Sequence, residues 1–404
     1  MSRMKTSVMG VGAVSGYGWG VETLWEGVKS QVPAGVPHRG QGGRFPEPCW
    51  FARVPDGGDL RHGFTRYSRA MVHSMNESIA DAKARGWTPG QRVGIVHATT
   101  RADLELLRAR YLDFASLPPR RAYVESSWTT PSSLIMMEHG FTGPCVVASA
   151  ACASGAHALA LARLMLAQGE ATDMIVAAGD VGFDGEEMRL FASLGPLRYD
   201  RAPNDVCRPF QEGSTGFVLG EGAAAIVLTA SPRPNAYMRL LAASLGNDCY
   251  HPVSIEPSGD NIVRTMDRAL HDAGVVASDV SYYSAHGTGT PECNLADTRA
   301  LEHLGTQATA YGYKPLLGHT MGAAPMMDVV INARAYENGF LPAPEQRSAG
   351  HAQLASGPVP HDGGPTVQLG LGFGGNIAVA VWAAADTPVG TPIGSVGPHV
   401  LAVS

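Results

Sequence analysis

"GFVLGEGAAAIVLT", residues 216–229, and "GLGFGGNIAVAVW", residues 370–382, share one pattern, in which a glycine-rich turn leads into an apolar strand. Each segment is typical of a β-hairpin, because glycine permits a tight turn and a run of apolar residues suits a buried strand. A pattern that returns within one chain indicates that larger units are repeated as well.

The segments that precede these two turns also repeat in the same order. Residues 66–87 have helical spacing and end near a glycine, and residues 92–98 follow as a buried strand. Residues 261–275 and 280–286 form a second helix and strand of the same kind. Strands that alternate with helices are typical of α/β proteins.

The sequence therefore predicts an α/β fold of two similar halves, residues 1–230 and 236–385. The Pro-rich segment 229–238 is interpreted as the linker between them. The Gly/Pro-rich tail, residues 387–404, is expected to lie over the surface or to be disordered.

Composition excludes several classes of protein. A chain of 404 residues with 45% hydrophobic and 16% charged residues is typical of a globular protein with a large core. A net charge of −6 without a basic run argues against a nucleic-acid or anionic-membrane partner, and no apolar run reaches the roughly 20 residues of a membrane span. The six cysteines lack CxxC spacing, which argues against a metal site and favours reduced thiols in the cytoplasm.

Cys152 lies in "GPCVVASAACASGAHALALARLMLAQG", residues 143–169. The first part predicts a short strand, buried on both faces if central, and the second part predicts a helix that ends at Gly169. A thiol at a helix start has a lowered pKa, and small neighbours leave room for a thioester. An inert buried cysteine is the more common interpretation of this stretch taken alone, and His157 is assigned to packing.

His286 ends a predicted strand and is followed by a Gly/Thr turn, with a helix expected from about Leu295. In that turn, Thr288 and Thr290 could hydrogen-bond a ligand that carries amide groups. A solvent-exposed turn histidine is the alternative interpretation of this motif.

His319 precedes the small-residue helix start "TMGAAP", and Lys314 lies five residues upstream. Alone, this pair also fits a loop histidine beside a surface lysine. One cysteine and two histidines beside glycines together fit thiol-based acyl transfer, in which a thiolate attacks an acyl thioester. The second histidine could stabilise an enolate, which favours carbon–carbon chemistry over hydrolysis.

Gly370, Gly372 and Gly375 formally satisfy the GxGxxG pattern of dinucleotide-binding proteins. A strand follows them instead of a helix, so a dinucleotide site is not expected. We expect these glycines to let a turn approach Cys152, with Phe373 projecting from it.

The ordered motifs "ACASG", "HGTGTP", "K-x-x-x-GH-x-x-GAA" and "GFGG" resemble the β-ketoacyl-acyl-carrier-protein synthases of the I/II type and the polyketide ketosynthases. The resemblance covers nearly the whole chain. It implies the thiolase fold, with two βαβαβαββ halves forming an αβαβα five-layered sandwich. It also implies an acyl carrier protein as partner, a homodimer, and no cofactor beyond phosphopantetheine thioesters.

The resemblance implies a role for each motif residue. Cys152 would be the acylated nucleophile, and His286 and His319 would bind the extender thioester and promote decarboxylation. Lys314 would tune the histidines electrostatically, and Phe373 would gate the acyl pocket. The remaining implied roles are an oxyanion hole from the N–H groups of Cys152 and Phe373, phosphopantetheine binding by Thr288 and Thr290, support of Lys314 by Asp297, and a partner-facing pocket at residues 126–137.

Several positions depart from the family pattern. "CNLAD", residues 293–297, replaces Gly-Asp-x-x-Glu, residues 208–217 lack a charged stretch, and Pro315 directly follows the lysine. These departures favour a specialised natural-product pathway over primary fatty-acid elongation. Two alternatives remain: an enzyme that cyclises or transfers its bound acyl chain without elongation, and a non-catalytic subunit that shapes the pocket of another ketosynthase.

Overall fold

A computed structural model describes residues 6–40, 45–112, 123–231 and 233–386. The predicted tail 387–404 lies outside the described residues. The strands and helices of the first half are β1 (Thr6–Ser15), β2 (Gly18–Trp19), α1 (Val21–Lys29), β3 (Val36–His38), β4 (Cys49–Phe51), α2 (Arg66–Ala84), β5 (Val93–Ala98), α3 (Leu104–Leu112), α4 (Thr130–His139), β6 (Cys145–Ala148), α5 (Ser154–Ala167), β7 (Asp173–Asp180), α6 (Gly185–Ala192), α7 (Pro203–Val206) and β8 (Gly222–Thr229).

The second half begins after the predicted linker. Its strands and helices are β9 (Met238–Asn247), α8 (Asp260–Ala273), β10 (Tyr282–Ser284), α9 (Pro291–His303), β11 (Thr309–Tyr311), α10 (Lys314–Leu317), α11 (Ala324–Asn338), β12 (Phe340–Leu341), β13 (Val359–Pro360), β14 (Thr366–Gly372) and β15 (Asn376–Ala384).

The two halves have the same strand order and the same strand directions. The main sheet runs β11-β10-β14-β15-β9-β1-β8-β7-β5-β6. Within each half the first long strand pairs antiparallel with the last, which pairs antiparallel with the strand before it, and the remaining pairs in this strand order are parallel. Strands β1 and β9 join the halves, through Thr6–Val8 and Met238–Leu240. The repeated α/β architecture expected from the sequence is confirmed, whereas the domain boundaries 1–230 and 236–385 stay a prediction.

Helices form three layers around the two halves of the sheet. Helix α5 contacts β5 and β7 of the first half and β9 and β15 of the second, and it also packs against α11. Helix α2 covers β1, β7 and β8, and α8 covers β9 and β15 with α9 beside it. The helices α5 and α11 therefore lie between the halves, which gives the five-layered α/β sandwich of the thiolase fold.

The close fit of α2 on β1 requires two glycines. A Cβ added at Gly10 would lie 2.1 Å from the carbonyl oxygen of Ser78, and one at Gly12 would lie 1.9 Å from that of Ser74. Val11 and Ala13 alternate with these glycines and join the apolar cluster on the other side of the sheet. Period-two alternation therefore places each face of β1 against a different helix layer.

Two local expectations are wrong, and a third, burial of β6 on both faces if central, does not apply. Strand β6 lies at the edge of the sheet and is only partly buried, because it pairs with β5 alone among the described strands. Residues 216–229 form no hairpin, since Phe217 and Leu219 instead bridge to Leu197 and His319, whereas 370–382 does form one through β14 and β15. The helix after the Gly/Thr turn begins at Pro291 rather than near Leu295, with Thr290 as its N-cap.

Candidate active site

Cys152 lies in the turn between β6 and α5 and is 5% exposed. The Ser154 hydroxyl holds this turn, because it accepts the N–H of Ala150 at 2.8 Å and donates to the carbonyl oxygen of Ala151 at 2.5 Å. Ala151 adopts a φ of +49°, in the left-handed region that non-glycine residues rarely occupy. The turn thus presents the thiol at the start of α5 with its backbone fixed on both sides.

Burial raises the pKa of the Cys152 thiol to about 12. The positive charge of Lys314 acts in the opposite direction, and the Asp180 carboxylate adds to the increase. The lowered thiol pKa expected from the helix start is therefore wrong, because loss of solvation of the thiolate outweighs the nearby positive charge. The resting thiol is protonated near neutral pH.

The glycine-rich turn between β14 and β15 approaches Cys152 as expected. A Cβ added at Gly372 would lie 2.4 Å from the carbonyl oxygen of Ala150 and 3.1 Å from the nitrogen of Ala153. Only glycine permits this approach of two backbones. It places the backbone of Phe373 beside the cysteine turn, the arrangement that a two-amide oxyanion hole requires.

His286 is held as one neutral tautomer. Its Nδ1 accepts the backbone N–H of Leu371 at 3.3 Å, so in the neutral ring the proton is on Nε2. Burial lowers the pKa of His286 well below its usual value, and the charges of Lys314 and His319 lower it further. The ring is therefore a neutral hydrogen-bond donor at physiological pH.

His319 lies perpendicular to His286, with ring centroids 5.8 Å apart. Its backbone N–H donates to the carbonyl oxygen of Val218 at 2.8 Å, and the ring of Phe217 packs edge-on at 4.8 Å. Burial and Lys314 hold the pKa of this histidine well below its usual value. Its buried Nδ1 has no hydrogen-bond partner among the described residues.

Lys314 begins α10, is 4% exposed, and donates a hydrogen bond from Nζ to the carbonyl oxygen of His286. Its charge acts on both histidines and on Cys152. It also lowers the pKa of Asp328, which burial raises to about 7. Lys314 is thus a buried cation whose charge acts on Cys152, His286 and His319.

Asp297 was expected to support Lys314, but the structure shows no direct contact of this kind. In the described part of the chain, Asp297 and Lys314 form no ion pair within 4.0 Å. Its carboxylate accepts the backbone N–H groups of His286 at 3.0 Å and Gly287 at 2.8 Å. It also accepts the Tyr283 hydroxyl at 2.8 Å and the Cys293 thiol at 3.2 Å. Asp297 thus fixes the backbone at His286, whose carbonyl oxygen accepts the hydrogen bond from Lys314. Its link to the lysine is therefore indirect.

One cavity of about 370 Å³ brings the predicted residues together. Its lining includes Cys152, His286, His319, Thr288, Thr290, Gly372 and Phe373. Lys314 and Asp297 lie behind this lining. Thr290 is also the N-cap of α9, where its hydroxyl accepts the N–H of Cys293 at 3.2 Å. His157 is absent from the lining, and its ring lies 3.1 Å from the carbonyl oxygen of Ala153, which agrees with a packing role.

Asp180, at the end of β7, was missed in the sequence. Its carboxylate accepts hydrogen bonds from the hydroxyls of Thr99 and Thr100 and from the N–H of Gly322 at 2.8 Å. Burial raises its pKa to about 6. It connects the end of β5 to the turn after His319. A single acid at the end of an apolar strand was the available signal.

Two family models match this chain. The model of the β-ketoacyl synthase N-terminal domain matches residues 61–232, and that of the C-terminal domain matches residues 237–346. The chain belongs to the β-ketoacyl synthase family. Like other β-ketoacyl synthases, it is an acyltransferase.

Relatives and solved structures agree with this assignment. The β-ketoacyl synthase is 24% identical to a 3-oxoacyl-[acyl-carrier-protein] synthase 2 of Staphylococcus aureus, over 93% of this chain and 100% of the relative. A synthase of the same name from Vibrio harveyi is 29% identical over 62% of this chain and 64% of its own.

Solved structures show the same fold. A structure described as a type II PKS acyl-carrier protein in complex with its ketosynthase, bound to the hexaketide, superposes with a TM-score of 0.82 at 21% identity, over 95% of this chain and 100% of that chain. A ketosynthase in complex with its chain length factor from Xenorhabdus doucetiae gives 0.82 at 20% identity, over 94% and 98%. Among the described residues, no helix of this β-ketoacyl synthase is long and apolar enough to cross a membrane.

Proposed function

We propose that this β-ketoacyl synthase is a ketosynthase that elongates an acyl chain carried on Cys152. The acyl group comes from a carrier-protein thioester, and a malonyl-type thioester supplies the added carbons by decarboxylative Claisen condensation. The observation that carries the proposal is that Cys152, His286 and His319 line one cavity. A nucleophile and two neutral donors are the groups that this chemistry needs.

In the first half-reaction the Cys152 sulfur attacks the thioester carbonyl, and the carrier thiol leaves. Burial keeps the thiol protonated, so its proton moves to a base as the carbon–sulfur bond forms. Nδ1 of His286 already accepts the backbone N–H of Leu371, and its Nε2 carries the proton. His319 is therefore the histidine with a ring nitrogen that can take the thiol proton. The proton then passes to the departing carrier thiolate.

In the second half-reaction the carbonyl oxygen of the malonyl thioester accepts a hydrogen bond from Nε2 of His286. The bond from the α-carbon to the carboxylate breaks and CO2 leaves. The electron pair of that bond stays on the α-carbon and forms an enolate, which the two neutral histidines stabilise. The enolate carbon attacks the acyl carbonyl on Cys152. The oxyanion that forms is stabilised by the N–H groups of Cys152 and Phe373. Its collapse re-forms the carbonyl and breaks the bond to sulfur, and the released Cys152 thiolate takes a proton from water.

Thr288 and Thr290 support a phosphopantetheine arm as the bound group, because both line the cavity that leads to Cys152. An acyl carrier protein is therefore the proposed partner. No cofactor beyond the carrier thioesters is required for these steps. The proposed location is the cytoplasm, which the free state of all six cysteines supports.

The proposed pathway is a specialised, polyketide-type one rather than primary fatty-acid synthesis. Support comes from Cys293 and Asn294, which depart from the family pattern in the first turns of helix α9, after the turn that follows His286. The names of two structural neighbours, a type II PKS complex and a ketosynthase with its chain length factor, point the same way.

The proposed active form is a homodimer. Strand β6 leaves one edge of the main sheet without a partner in the described chain. The chain segment that precedes β6 carries several exposed apolar side chains: Tyr111, Tyr123, Val124, Trp128 and Met137. An unpaired edge flanked by exposed apolar residues is typical of an interface. The helix Thr130–His139, which overlaps the predicted partner-facing segment 126–137, belongs to this surface.

Intact-mass spectrometry with acyl carrier proteins tests the proposal. The wild-type protein should gain one acyl adduct, and the Cys152→Ala variant should gain none. Addition of malonyl carrier protein should then yield a product longer by two carbons. A product that needs no malonyl carrier and gains no carbons would instead show cyclisation or transfer, and activity of the isolated protein would exclude a non-catalytic subunit.

A further inference from the structure

Cys152 also lines a second cavity, of about 340 Å³, on the side away from the histidines. This cavity shares Cys152, Phe191, Leu194 and Phe373 with the first one, but neither His286 nor His319 lines it. In the proposed reaction the acyl chain must leave the histidine side open for the malonyl thioester. The second cavity is therefore the site of the acyl chain, an assignment that rests on the proposed function.

The lining of this acyl cavity combines apolar and polar side chains. The apolar side chains include Leu190, Phe191, Leu194 and Met321, and the polar ones are Thr100, Arg101 and Ser149. Arg101 is the one charged residue among the described residues that line the cavity. A plain alkyl chain would gain from the apolar side chains but would cover guanidinium N–H groups without bonding them, which is costly.

The turn that carries Arg101 is fixed from both sides. Asp180 accepts the backbone N–H of Thr100 at 3.0 Å and its hydroxyl at 2.8 Å. The Thr99 hydroxyl accepts the N–H of Ala102 at 2.9 Å, and Ala102 has a φ of +58°. A non-glycine residue keeps this conformation only where its surroundings impose it, so the turn presents Arg101 in a defined direction.

Arg101 retains hydrogen-bond donors for a ligand. One guanidinium nitrogen, Nη1, donates to Oε2 of Glu187 at 2.6 Å, and the side chain is 42% exposed. A guanidinium has five N–H groups, so this ion pair leaves others unused. Its charge also lowers the pKa of Cys152, which places Arg101 within electrostatic reach of the thiol.

We propose that Arg101 makes this ketosynthase select acyl groups that carry a hydrogen-bond-accepting oxygen a few carbons from the thioester. The substrate class is therefore an oxygenated acyl chain rather than a plain alkyl chain. The apolar side chains of the lining bind the carbon backbone of the chain, and the guanidinium binds the oxygen. Arg101 acts as a specificity-determining residue and takes no part in bond making.

Loading of Cys152 from small thioesters tests this selection. The probes are the hexanoyl, 5-oxohexanoyl and glutaryl thioesters of N-acetylcysteamine, and the readout is the initial rate of the intact-mass adduct. The wild-type protein should load the 5-oxohexanoyl group about ten-fold faster than the hexanoyl group. The Arg101→Leu variant should bring this ratio to about one while loading hexanoyl at least as fast as wild type. The Glu187→Gln variant keeps the guanidinium and should keep the preference.

Equal loading of the hexanoyl and 5-oxohexanoyl groups by wild type would overturn the proposal. An unchanged ratio in Arg101→Leu would do the same, and Arg101→Gln provides a second test if the leucine variant does not fold. Loading of the glutaryl group faster than the 5-oxohexanoyl group supports the proposal and identifies the hydrogen-bond acceptor of the acyl chain as a carboxylate. No adduct with any thioester, or an adduct that survives Cys152→Ala, would overturn the proposed function itself, which separates that failure from loss of selectivity.

Discussion

The backbone N–H of Leu371 donates to Nδ1 of His286 at 3.3 Å, and this single contact fixes which nitrogen of the histidine carries the proton. Leu371 belongs to strand β14, which leads directly into the turn at Phe373. The strand that positions the proposed oxyanion hole thus also directs the Nε2 proton of His286 toward the cavity. Both proposed half-reactions therefore depend on the same strand.

Replacement of His286 should separate the two half-reactions. In His286→Ala, acylation of Cys152 should persist, whereas release of CO2 from malonyl carrier protein should fall by roughly 100-fold or more, because a neutral donor to the enolate is lost. Intact mass and 14CO2 release measure the two steps. The mostly exposed His271→Ala is the matched control and should change neither. Equal loss of both steps in His286→Ala would contradict the assigned role.

The raised pKa of Cys152 predicts how its reactivity depends on pH. Because burial raises that pKa to about 12, the thiolate fraction should increase about ten-fold per pH unit from pH 7 to pH 10 without levelling off. The rate of iodoacetamide modification, corrected with Cys152→Ala, measures this fraction. In Lys314→Met the rate should be lower at every pH, since the lysine charge lowers the thiol pKa. A plateau below pH 9 would contradict the burial argument.

Asp297 should contribute to stability through the backbone that it holds. Asp297→Asn replaces one acceptor oxygen with an NH2 group, which then faces the backbone N–H of either His286 or Gly287, because each binds a different oxygen. We expect the free energy of unfolding to fall by about 2–4 kcal/mol, measured by urea denaturation. The exposed Asp267→Asn removes a surface contact with His303 and should cost less than about 1 kcal/mol. A loss for Asp297→Asn as small as for this control would show that the buried contacts matter little.

The sequence predicted the two repeated halves, and the residues that it singled out at the ends of elements, Cys152, His286 and His319, do line one cavity. Local patterns suffice for these features because each residue lies where a strand or turn meets a helix. The partners of Asp297 and the closeness of Arg101 to Cys152 could not be predicted, because distant segments meet only in the packed fold. The direction of the thiol pKa was missed for the same reason, since burial is set by tertiary packing.

Gly372 should be intolerant of even one added carbon. In Gly372→Ala the new Cβ would lie 2.4 Å from the carbonyl oxygen of Ala150, so the turn must move away from Cys152. Acyl loading should fall by roughly 100-fold, because the amides proposed to stabilise the oxyanion separate. Gly312→Ala is the matched control, since its Cβ would meet its nearest atom, the carbonyl oxygen of Ala285, at an ordinary 3.7 Å. If Gly372→Ala loads as fast as this control, the close approach of the two backbones is not required for catalysis.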